Sequence, residues 1–112
     1  MEKKTFVHLF HIFFVGILFL YVGITQKNNP NYLFKILLGL GIIIFLYHIY
    51  KAYLKIKKGN SAWINYIHIF FVGPLLVIIG YYNVETSRKY FELLLMAGMA
   101  AIGYHGYYLF HD

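Results

Sequence analysis

The chain has 112 residues, 61% of them hydrophobic and 12% charged, with a formal net charge of +6 and no cysteine. That leaves too little charge to cover a water-facing surface, so the bilayer is the expected solvent; without cysteine there is no disulfide, thiolate metal site, covalent haem attachment or palmitoylation. The ten basic residues are spread over the termini, helix ends and loops, which is the pattern of headgroup anchors, and no nucleic-acid partner is expected.

In chain order, four apolar runs cover residues 6–24, 32–53, 63–82 and 90–110. Each is near the roughly 20 residues needed to cross about 30 Å of hydrocarbon. Lys3 and Lys4 before the first run give it the look of a signal peptide, but no small-residue cleavage pattern follows Ile24, so the run is read as retained. Helices satisfy their own backbone in lipid, whereas four spans are too few for a closed barrel. The connections Thr25 to Asn31, Lys55 to Ala62 and Asn83 to Lys89 are short and polar. Sequential helices must therefore run antiparallel, which predicts an all-α, up-down four-helix membrane bundle in a single domain over residues 1–112. Tyr32, Tyr50, Tyr53, Trp63, Tyr66, Tyr81, Tyr82, Tyr90, Tyr107 and Tyr108 crowd the predicted span ends as interfacial belts. The side holding both termini carries Lys3, Lys4, Lys51, Lys55, Lys57 and Lys58, against Lys27, Lys35, Arg88 and Lys89 on the other, so both termini are expected in the cytoplasm. Nine lysines against one arginine, with abundant Ile, Asn, Tyr and Phe, suit an AT-rich coding sequence such as those of large DNA viruses, low-GC bacteria and some protists.

The chain is internally repeated. His11-Ile-Phe-Phe-Val-Gly16 recurs as His68-Ile-Phe-Phe-Val-Gly73, a displacement of 57, and the match continues without a gap: residues 1–55 against 58–112 give 15 identities in 55. Leu18 meets Leu75, Gly23 meets Gly80, Phe34 meets Phe91, Gly41 meets Gly98, and Tyr47-His48 meets Tyr104-His105. Each copy crosses the membrane an even number of times, so the two tandem helical hairpins should share an orientation about an axis along the membrane normal. Gly16 and Gly23, Gly41, Gly73 and Gly80, and Gly98 are read as helix-packing positions. Pro74 stands where the first copy has Ile17, and should bend the third helix near Phe70 and set the copies apart there.

Four histidines pair across the duplication, His11 with His68 and His48 with His105. Each lies five residues, about 7 to 8 Å, inside the same-side end of its apolar run. All four therefore fall at one level on the side of the termini. Gly41 and His48 are seven apart, as are Gly98 and His105, so if the glycines mark contacts the even-helix histidines face a helix too. His8 and Asn65 precede the odd-helix histidines by three and extend a polar stripe.

Ionisable groups within a membrane usually mark a site. His11, His48, His68 and His105 are thus candidate ligands for a transition metal or a b-type haem, with Tyr47 and Tyr104 as supporting hydrogen-bond partners; alternatively they relay protons or ions in an oligomer. The structural reading is that each imidazole bonds a tyrosine, a carbonyl or headgroup water and fixes helix register. The acids are Glu2, Glu85, Glu92 and Asp112, all at ends or in loops, so no catalytic carboxylate pair is available and no enzyme is expected. The leading expectation is a non-enzymatic structural or scaffolding component of a cellular or viral membrane, with lipid, further copies of itself or another membrane protein as partners.

Overall fold

The computed structural model describes residues 2–111. Among them the chain forms four long helices and no strand, and all four are long and apolar enough to cross a membrane. We label them by those spans: α1 Lys3–Asn28, α2 Asn31–Lys57, α3 Trp63–Glu85 and α4 Arg88–Phe110. Each outruns its apolar sequence run, because flanking polar residues continue the helix.

The helices belong to two compact units. One comprises residues 1–26 and 87–112, and so holds α1 and α4; the other is residues 27–86, and holds α2, the loop after it and α3. Each unit thus takes its odd helix from one sequence copy and its even helix from the other.

In the α1–α4 unit the helices run antiparallel, with Phe19, Val22, Phe91 and Leu94 buried. Close approach depends on missing side chains: a methyl group on Gly23 would lie 2.9 Å from Leu95 Cβ, and one on Gly98 would lie 3.1 Å from Leu20 N and Phe19 Cβ. In the α2–α3 unit the helices are also antiparallel, with Phe34, Leu37, Leu76 and Ile79 buried. There a methyl on Gly80 would meet Leu38 N at 2.5 Å, and one on Gly41 would meet the Gly73 carbonyl and Leu76 Cβ at 2.9 Å. These contacts correspond residue by residue at the displacement of 57: Gly23 with Leu95 matches Gly80 with Leu38, and Gly98 with Phe19 and Leu20 matches Gly41 with Leu76 and Val77.

Both odd helices are interrupted at the repeated hexapeptide. α1 is π-helical over His11–Gly16 and α3 over His68–Val72. α1 carries this turn without a proline, so the π turn is common to the two copies and does not require Pro74. In α3 the Gly73 N–H reaches the His68 carbonyl five residues back; Pro74, which has no N–H to place, follows without further disruption. The odd helices also end alike: Gln26 and Asn83, equivalent in the repeat, take positive φ of 51° and 54° and lead into 3-10 turns.

Candidate functional site: a histidine clasp built twice

The site begins with one carbonyl that takes two donors, the backbone N–H and the ring of the same histidine. His11 Nδ1 donates to the Val7 carbonyl four residues back at 2.8 Å, and His68 Nδ1 donates to the Ile64 carbonyl at 2.8 Å. A side chain that bonds its own i−4 carbonyl adds a donor to that turn, which accompanies the loosening of the helix into π geometry at the same residue. The bond also settles the tautomer: with Nδ1 protonated, Nε2 carries the lone pair of the neutral ring. Both odd-helix rings are thereby held across the helix axis, facing the even helix of their unit.

Each then stacks on a histidine of that helix. The His11 and His105 ring centroids are 4.2 Å apart with planes 22° from parallel; His48 and His68 are 4.0 Å apart and 14° from parallel. The four candidate residues are therefore brought together as two pairs, one in each unit, and all four are half-buried. The expectation that His48 and His105 face a packed helix holds within their units, on the same flank as Gly41 and Gly98.

A third residue completes each clasp. His8 Nδ1 lies 2.9 Å from His105 Nδ1, and the Asn65 side-chain amide donates to His48 Nδ1 at 2.8 Å. His8 and Asn65 are repeat equivalents, three residues before His11 and His68, which is the spacing that sets them on the same helix face one turn earlier. They were legible as a polar stripe, but their role as direct partners of the even-helix imidazoles was not. Each leaves one polar atom without a partner: His8 Nε2 and Asn65 Oδ1 are buried and unbonded. Asn65 is 97% buried, with 3% relative exposure. In the α1–α4 unit the Nδ1–Nδ1 contact is a hydrogen bond when one ring supplies the proton and the other the lone pair.

Tyr47 and Tyr104 stand beside the clasps and not within them. Their rings lie edge-on to His48 and His105, at 5.2 Å and 5.1 Å between centroids, and both are exposed. Neighbours in a helix point about 100° apart, so a tyrosine next to a histidine that faces the partner helix turns outward.

The chemistry open to each pair follows from its stacking. Parallel rings about 4 Å apart direct their in-plane lone pairs side by side, so one ion cannot sit about 2 Å from a nitrogen of each. Nor does the gap between stacked rings admit a porphyrin. Among the described residues no group of three or more His, Asp or Glu is placed to hold a metal ion. No family model, curated protein or solved structure matches the chain.

Proposed function

We propose that this chain is a multi-pass integral membrane protein of up-down topology, with both termini on the cytoplasmic side, and that it serves as a non-enzymatic structural component of its membrane. The observation that carries the reading is the clasp built twice. In each unit a polar residue bonds the even-helix histidine, the odd-helix histidine stacks on that same ring, and the odd-helix ring is anchored to its own backbone. This uses the imidazoles to fix the register of a helix pair, and register is what apolar side chains in lipid specify poorly, because no hydrophobic force drives one helix onto another there. The outer surfaces support the membrane setting: Phe13, Ile43, Phe70 and Met96, far from the helix ends, are all more than half exposed, an arrangement that water would penalise and hydrocarbon favours.

Cysteine-accessibility labelling tests the topology. Lys3 and Lys58 are expected on one face, Asn28 and Thr86 on the other; labelling of Lys3 and Lys58 from opposite faces would refute it. Optical spectra with metal analysis of the purified protein test the role of the histidines. His48→Ala and His105→Ala are expected to lower stability modestly, with no cofactor lost. A stoichiometric metal, or a Soret band that these substitutions abolish, would refute the structural reading.

A second reading, proton transfer, draws on the His8–His105 contact, in which two imidazoles share one bonding proton. It predicts a proton leak in proteoliposomes carrying a pH-sensitive dye, reduced by His8→Leu; a wild-type leak equal to that of empty vesicles would exclude it.

A further inference from the structure

The C-terminal end of α2 carries a concentration of positive charge that nothing in its unit neutralises. Lys51, Lys55, Lys57 and Lys58 fall within the last two turns and the cap. Successive residues turn by about 100°, so Lys51, Lys55 and Lys58 lie on one flank of the helix, beside the face that buries Ala52. None of the four has an ion-pair partner among the described residues. The one carboxylate in residues 27–86 is Glu85, at the far end of α3. The helix C-terminus offsets only about half a charge, and like charges four apart on a helix repel.

The geometry also holds these lysines in place. Asn60 N–H bonds the Lys55 carbonyl at 2.8 Å and Gly59 N–H bonds the Ile56 carbonyl at 3.0 Å, with Gly59 at φ +78°, so the helix closes in a Schellman motif and the chain turns sharply into α3. Just inside this end lie exposed Tyr50 and Tyr53 on α2 and exposed Trp63 and Tyr66 on α3. Lys57 Nζ sits 5.9 Å above the Tyr53 ring. An aromatic layer of this kind marks the boundary between hydrocarbon and headgroups, and lysine stems reach outward from it to place their ammonium groups among the headgroups.

We propose that Lys51, Lys55, Lys57 and Lys58 form a binding surface for anionic lipid headgroups, which enriches such lipids around the loop end of the α2–α3 unit. The proposal rests on the membrane reading above and goes beyond it by naming the lipid class and the residues. Basic residues next to a span favour anionic lipid by about fivefold each.

Trp63, the single tryptophan of the chain, stands beside the patch and reports on it. The full chain is reconstituted in phosphatidylcholine vesicles containing a minor fraction of either brominated phosphatidylserine or brominated phosphatidylcholine, and quenching of Trp63 is compared. Brominated phosphatidylserine is expected to quench several-fold more effectively, and the preference should fall steeply in high salt. Lys55→Gln with Lys58→Gln should remove most of that several-fold preference, whereas arginine at both positions should preserve it, and Lys27→Gln with Lys35→Gln, at the opposite end of the unit, should leave it unchanged. Equal quenching by the two lipids in the wild type, or a preference that survives both salt and the glutamine substitutions, would overturn the proposal while leaving the membrane reading intact. Absence of quenching by either lipid would overturn both.

Discussion

Gly80→Ala should separate α2 from α3, and its cost can be worked from the contacts it would create. The added methyl would lie 2.5 Å from Leu38 N, 2.7 Å from Leu38 Cα and 2.7 Å from Leu38 Cβ. Two of these atoms are backbone and cannot rotate away, so the helices must move apart by most of an ångström. Gaps of about 0.5–1 Å forfeit a quarter to a half of each dispersion contact they open, and overpacking in a tight interface typically costs about 1–3 kcal/mol. Alanine returns up to about 1 kcal/mol through its greater helix propensity. The net expectation is a loss of about 1–2 kcal/mol. Gly39→Ala provides the internal control: the same helix pair holds it, but nothing lies within 4 Å of the added methyl, so only the propensity gain applies and stability should hold or rise. Equilibrium unfolding in mixed detergent micelles, followed by circular dichroism and Trp63 fluorescence, measures both. Equal stabilities for Gly80→Ala and Gly39→Ala would refute the claim that glycine-mediated backbone approach holds this unit together.

Gly23→Ala, whose methyl would meet Leu95 Cβ at 2.9 Å, should destabilise in the same assay, by less than Gly80→Ala. Exchanging the clasp residues tests their equivalence: His8→Asn and Asn65→His should each change stability by no more than about 0.5 kcal/mol, whereas leucine at either site should cost roughly 0.5–1.5 kcal/mol through the lost bond to an even-helix histidine. Gln26→Gly and Asn83→Gly should each raise the unfolding midpoint, since φ of 51° and 54° at these helix ends strains any residue with a Cβ by about 1 kcal/mol or more. At Asn83 the change also removes a buried, unbonded Oδ1.

Much of this protein is determined by the sequence read on its own. Four apolar runs of spanning length predict four long helices, as found, and the displacement of 57 identifies which residues are equivalent before any contact is known. That Gly41 and Gly98 mark contact faces, and that His48 and His105 share those faces, follows from a seven-residue spacing that returns to the same side of a helix. The partners were decided by tertiary structure. A helix that is apolar all round offers no periodicity to say which neighbour it chooses, and it is the compact units that pair α1 with α4 and α2 with α3. The choice rests on shape, with the Gly23 and Gly80 notches filled by Leu95 and Leu38, and shape at ångström precision is not a property of a residue string. The histidines divide in the same way. Their distance from the span ends could be counted from helix rise, but the stacking of His11 on His105 and of His68 on His48, and the bonds of His8 to His105 and of Asn65 to His48, depend on a helix contributed by the other copy, which hydrophobic pattern does not name.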